Sequence, residues 1–152
     1  MSPFVSPGLH RLVAGRFRLI LSFFRAAAII GFMYSPQVLD YFRNARNSGE
    51  LPQANAVARV ENPACGDMLE LSLRIEDAVV AEARFRARGC VPTIACASRL
   101  TEMIAGKAPA EALAIGRAAL IESLGGLPAE SQHAAQLSLD ALRAALRKFS
   151  KE

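Results

Sequence analysis

The sequence has no tryptophan, two histidines and three cysteines among its 152 residues. An odd cysteine count without a framework spacing excludes a disulfide-stapled secreted module and favours a reducing, cytoplasmic setting. Acidic residues are missing from the first 32 positions, which hold Arg11, Arg16, Arg18 and Arg25, so the net charge of +4 belongs to that stretch. The other 120 residues carry 14 basic and 14 acidic side chains. A neutral body with few aromatics has no basic patch for nucleic acid. There is no Gly-rich phosphate loop and no histidine–acid–serine grouping, so the chain is not read as an enzyme. Internal repeats and low-complexity tracts are also lacking. No apolar run reaches the about 18–20 residues that a membrane span needs. Phe17 to Phe32 is strongly apolar, but Arg18 and Arg25 interrupt it.

These gaps divide the chain into an N-terminal basic apolar extension, residues 1–32, and a body, residues 33–152. The extension lacks a clear small-residue cleavage site, whereas its arginine-rich, acid-free composition is that of a transit peptide. Three readings follow: a targeting segment, a basic interfacial anchor that supplies any membrane contact, or residues upstream of a true start at Met33.

The body is organised around Pro63 to Cys96, which contains all three cysteines. Residues 69–76 alternate Leu69, Leu71, Leu73 and Ile75 with Glu70, Ser72, Arg74 and Glu76; residues 81–88, Ala-Glu-Ala-Arg-Phe-Arg-Ala-Arg, alternate in the same way. Period two predicts two half-buried strands. Glu76-Asp77-Ala78 is their turn, so the pair is an antiparallel hairpin. Cys65 precedes the first strand and Cys90 follows the second, so the hairpin brings both thiols to one end of the sheet, with Asp67 beside them. Gly66 and Gly89 adjoin the cysteines and leave backbone uncovered. Pro92 suits a helix start, which puts Cys90 at a helix N-terminus, where a thiolate is favoured. A free cysteine is more often a small buried hydrophobe, and Cys96 is read as one, because it shares a helical stripe with Leu100 and Met103.

Ser35-Pro36 predicts an N-cap and N1 proline for a helix over residues 36–44, and Ala54 to Glu61 predicts a further strand. Helices are expected over Pro92–Ala105, Ala108–Ala119 and Ser131–Phe149, the last burying Ala134, Leu137, Ala141, Ala145 and Phe149. His133, in its first turn, is on its own merits a surface residue able to ligate metal or switch charge. Strands grouped ahead of helices predict an α+β fold: a three-stranded antiparallel sheet with helices packed on one face.

From Met33 onward the chain resembles the NifU-like (IscU-type) iron–sulfur cluster assembly scaffolds. The resemblance rests on Tyr34-Ser35, Val38-Leu39-Asp40-Tyr41, Ala45-Arg46-Asn47, Pro63-Ala64-Cys65-Gly66-Asp67, Ala83-Arg84-Phe85, Gly89-Cys90, Ile94-Ala95 with Ser98, Thr101-Glu102, Gly106-Lys107 and Leu127-Pro128 ahead of His133. It covers essentially the whole body, and the Ala-Cys-Gly-Asp and Gly-Cys elements at this spacing are its specific part. The resemblance implies a site for iron and a [2Fe–2S] cluster at Cys65, Asp67, Cys90 and His133, with zinc possible in the apo site. It implies a cysteine desulfurase as sulfur donor and apo acceptor proteins as recipients. The chain departs from the family at two places. Ala134 stands where the family has its third ligand cysteine, an acceptor of persulfide sulfur, so de novo assembly is in question. Leu127-Pro128-Ala129-Glu130-Ser131 replaces the family's Leu-Pro-Pro-Val-Lys, which argues against the dedicated chaperone as a partner. Cys96 could replace the lost thiol only if its helix start unwound, because two thiolates on one tetrahedral metal lie about 4 Å apart, as Zn–S bonds near 2.3 Å require.

Two other readings remain. The first is a zinc-binding or metal-free interaction protein that kept the fold and lost assembly chemistry. The second is a thiol redox protein using Cys90 and Cys96, which their spacing disfavours.

Overall fold

Ser35 starts the first helix because its side chain replaces a missing backbone partner. A computed structural model describes residues 33–152; the readings of residues 1–32 lie outside the described residues. Helix α1, Pro36–Arg43, is capped by Ser35, whose Oγ accepts the Val38 N–H at 3.1 Å and donates to the Leu124 carbonyl. Pro36 opens α1, and Val38 and Leu39 are its buried side chains. The chain then turns at Asn47, with φ of 61°. Asn47 and Gly49 reach the outer edge of the sheet: Phe85 N–H donates to the Asn47 carbonyl at 3.0 Å and Gly49 N–H to the Phe85 carbonyl at 2.9 Å. Further along, Val80 exchanges two 2.8 Å hydrogen bonds with Gly106 and Lys107. Both contacts occupy backbone groups that an edge strand would otherwise expose.

Three strands follow: β1 Ala56–Asn62, β2 Asp67–Glu76 and β3 Val79–Arg88. They form an antiparallel meander in the order β1-β2-β3. Register pairs Asn62 with Asp67, Leu71 with Phe85 and Met68 with Arg88. Ala56, Ala58, Leu69, Leu71, Leu73, Ile75, Val80, Ala83 and Phe85 point into the core. The outward face carries charges that neutralise one another locally. Arg86 lies 2.7 Å from both Glu50 and Glu70, and Arg74 and Arg84 flank Glu82.

The strict alternation expected over residues 81–88 holds only from Ala83 onward. Ile75 pairs with Val80 while Arg74 pairs with Glu82, so Ala81 has no partner and is exposed. This bulge lets Val80 take the inward place and tightens the twist near the turn. The turn itself is Asp77-Ala78, both left-handed, with φ of 53° and 63°.

Helix α2, Val91–Ile104, and helix α5, His133–Lys151, cover the inner face, α5 over β1 and β2 and α2 mainly over β3. Small residues on α2 (Ala95, Cys96, Ala97, Ser98) permit close approach, and Ser98 Oγ accepts the Arg46 N–H at 2.7 Å. The single helix expected over Ala108–Ala119 is two: α3, Pro109–Leu113, and α4, Arg117–Ser123. The break is at Gly116, which is extended (φ −86°, ψ 163°) and serves as the N-cap of α4. Helix α5 begins at His133 rather than Ser131, because Ala129–Ser131 form a 3₁₀ turn. Tyr34–Glu152 make one compact unit with the expected α+β architecture.

Candidate metal centre

The β1–β2 turn supplies the first sulfur. Asn62 shapes it twice: its side-chain oxygen accepts the Ala64 N–H at 3.0 Å, and its carbonyl accepts the Gly66 N–H at 2.8 Å. Gly66 has φ of 72°, a conformation that a side chain would strain. Cys65 is thereby left exposed at the tip of the turn. Asp67 is the first residue of β2, and the pleat turns it inward, 5% exposed.

The β3 end supplies the second sulfur. Cys90 is the N-cap of α2 and is exposed. Gly89, just before it, lies against the Asp67 carboxylate: a Cβ there would stand 2.8 Å from Oδ1 and 2.9 Å from Cγ. Thr93, fully buried one turn into α2, donates from Oγ1 to Asp67 Oδ2 at 2.6 Å. Cys90 Sγ is 3.4 Å from the same Oδ2 and 3.3 Å from Thr93 Oγ1. Burial by itself raises the Asp67 pKa. Hydrogen bonds from Thr93, Cys90 and Cys65, with His133 nearby, outweigh it and hold the carboxyl below its ordinary value.

His133 enters from the start of α5. Its Nδ1 lies 2.9 Å from the Glu130 carbonyl, which can only accept, so Nδ1 carries the hydrogen. In the neutral ring Nε2 is then a lone pair. That atom is buried without a hydrogen-bond partner, 3.8 Å from Asp67 Oδ2. Two acceptors face each other across a gap that a proton or a metal cation would fill.

The structure therefore brings Cys65, Asp67 and His133 together, with one ligand atom from each lying within 4.8 Å of the others. Cys90 meets this group at Asp67. A sulfur, an oxygen and a nitrogen this close could hold a metal ion, and a shallow hollow of about 260 Å³ lies beside His133, between Pro63 and Asp140.

Ala134 is fully buried, as expected from the apolar stripe of the last helix. Its carbonyl accepts the Ser138 hydroxyl at 3.1 Å. Cys96 is likewise fully buried in the core. Burial, helped by the nearby Cys90, pushes its thiol up to about 12. A thiol so placed packs as a small hydrophobe. Sequence reasoning passed over Thr93. Its position three residues after an N-cap cysteine was the available signal, since a side chain there leans back toward the helix start.

A mixed-donor cluster at the end of a sheet backed by helices, with its thiols exposed and its carboxylate buried, is the arrangement of a metal-binding scaffold. The chain belongs to the family described as NifU-like N terminal domain, whose pattern matches residues 33–152. It is 43% identical over 114 residues to the iron-sulfur cluster assembly scaffold protein IscU 1 of Archaeoglobus fulgidus, covering 75% of this chain and 74% of that one. It is 39% identical over 122 residues to the iron-sulfur cluster assembly scaffold protein IscU of Aquifex aeolicus, covering 79% and 78%. The nitrogen-fixing NifU-like protein (N-terminal) of Brucella abortus has the same fold, with a TM-score of 0.66 at 21% identity over 81% of this chain and 98% of that chain. Both of these IscU relatives are named as scaffold proteins rather than enzymes.

Proposed function

We propose that residues 33–152 act as a scaffold or carrier that holds iron and a [2Fe–2S] cluster as cargo at Cys65, Asp67, Cys90 and His133. The observation that carries the reading is His133 Nε2, a buried lone pair without a partner, facing Asp67 Oδ2 at 3.8 Å with Cys65 beside them. An unpaired acceptor in such a place is costly unless a cation occupies the gap. The exposed thiols of Cys65 and Cys90 supply the soft donors that cluster iron prefers, and His133 and Asp67 complete a set of four. Exposure also suits handing cargo on. A cysteine desulfurase as sulfur donor and apo proteins as acceptors follow from the relatives' names as assembly scaffolds. The segment Leu127–Ser131 departs from the family's chaperone-binding stretch, so a dedicated chaperone is not included among the partners. Free thiols suit the reducing cytoplasm, and among the described residues no helix is long and apolar enough to cross a membrane.

A second reading, a zinc-holding protein without assembly chemistry, is favoured by one observation: the compact group has a single sulfur, and Ala134 replaces the third thiol. A mixed sulfur, oxygen and nitrogen set suits zinc as well as iron. Anaerobic purification followed by metal and acid-labile sulfide analysis separates the two. Iron with matching sulfide supports the scaffold; zinc without sulfide supports the second reading. Failure to bind either metal after reconstitution would sink both.

A further inference from the structure

The carboxylate at the centre of the site has two neighbours that are not themselves in the ligand set. On one side Gly89 leaves no room for a Cβ, which would stand 2.8 Å from Oδ1. On the other, Thr93 Oγ1 donates to Oδ2 at 2.6 Å. Thr93 is fully buried, and its β-branched side chain has few rotamers open to it. Cys90 Sγ, at 3.3 Å, lies within hydrogen-bond distance of the same hydroxyl. One hydroxyl thus links the β2 ligand to the α2 ligand, two groups that are otherwise carried by different elements.

We propose that Thr93 is the positioning residue of the metal centre: its hydroxyl sets the Asp67 carboxylate so that Oδ2 faces His133 Nε2 at ligating range, and it keeps Cys90 in register with that carboxylate. The proposal rests on the metal-binding reading above and adds to it the residue that makes the site preformed. Oδ2 has two lone pairs: Thr93 occupies one at 2.6 Å and the Cys90 thiol approaches the other at 3.4 Å; a Cys90 thiolate bound to metal would no longer donate, which would leave that second lone pair for the cation. Without the hydroxyl, Asp67 would be free to turn, and the gap to Nε2 would no longer be held open. Partners that orient a ligand in this way typically contribute about 10–100-fold to metal affinity.

The test uses the full chain, with Co²⁺ and Zn²⁺ as probes, competition against a chromophoric chelator, and the ligand-field bands of the Co²⁺ form. Thr93→Val is expected to weaken binding of both ions by about 10–100-fold and to alter the Co²⁺ bands, while Thr93→Ser restores wild-type behaviour. In an Asp67→Ala background, Thr93→Val is expected to have little further effect, because the two residues act as one unit. Wild-type affinity and spectrum in Thr93→Val would overturn the proposal and leave the metal site standing. So would an undiminished loss in the Asp67→Ala background. If wild-type protein itself binds neither ion, the metal-binding reading fails first. Should Thr93→Val not fold, Thr93→Ala against Thr93→Ser carries the same comparison, and equal affinities for that pair overturn the proposal.

Discussion

Gly89 shows how narrow the tolerance of the site is at the scale of one residue. Adding a methyl there drives Cβ to 2.8 Å from Asp67 Oδ1, and the obstacle is a carboxylate already fixed by Thr93. Gly89→Ala is therefore expected to weaken Zn²⁺ binding by at least about 10-fold, as measured by chelator competition, with the fold retained. Ala134 poses the opposite question. The residue is fully buried, so a sulfur at this position enters packed space. Ala134→Cys should lower stability by about 1–3 kcal/mol in a thermal melt. Given ferrous iron and a cysteine desulfurase, it should still assemble a [2Fe–2S] chromophore faster and retain it longer against chelator, because cluster iron prefers thiolate. Cys96 leads to a pH prediction. Its thiol is raised from 9.0 to about 12 by burial. Below pH 9 the thiol is protonated in both folded and unfolded chains, so its contribution is flat. Between 9 and about 12 the unfolded chain ionises while the folded one does not, and stability falls as pH rises. The slope approaches about 1.4 kcal/mol per pH unit. Urea denaturation across this range should show a shallower decline for Cys96→Ala than for wild type.

Among the elements, the β2–β3 hairpin has the most identifiable strain. A two-residue turn with both residues left-handed matches the twist of the strands, but it asks Ala78 to adopt φ of 63°. Asp77 tolerates the region better than alanine does. Ala78→Gly should raise stability by about 0.5–1 kcal/mol, read as a shift in urea midpoint without change in slope. The turn and the ligands are at opposite ends of the hairpin, so metal affinity should be unchanged. Helix α2 has the converse role: its first turn carries Cys90 and Thr93, while its remaining length is anchored in the core through Leu100 and Ile104. The flexible-looking end of the site is thus built on a rigid element.

At the scale of the whole molecule, Tyr34–Glu152 contains the sheet, all the helices named above, and every ligand of the proposed site. The outer sheet face is neutralised by its own ion pairs, such as Arg86 with Glu50 and Glu70, which are surface pairs of little energetic weight. A chain beginning at Met33 is accordingly expected to fold with the melting temperature of the full chain and to bind Zn²⁺ with the same affinity. A lower melting temperature would show that residues 1–32 contribute to the body. Sedimentation with anionic vesicles by the full chain alone would make the stretch from Phe17 to Phe32 an interfacial anchor.

The sequence by itself determined the elements whose signal is local. Leu69, Leu71, Leu73 and Ile75 alternate, so β2 was legible; Ser35-Pro36 marked a helix start; Cys96, Leu100 and Met103 marked a buried helical stripe. Cys65 and Cys90 bracket the hairpin, so their convergence followed from connectivity, and the Ala-Cys-Gly-Asp and Gly-Cys elements carried the family. The tertiary structure alone decided what depends on distances between separate elements. The bulge that expels Ala81 arises from how β3 must pair with β2 after a tight left-handed turn. The break at Gly116 separates what composition reads as one helix. The 2.6 Å bond from Thr93 to Asp67 joins residues 26 positions apart. Periodicity is a property of neighbours along a chain and survives in sequence. The approach of a hydroxyl to a carboxylate across two elements depends on register and packing to within a fraction of an ångström, and no spacing of letters encodes that directly.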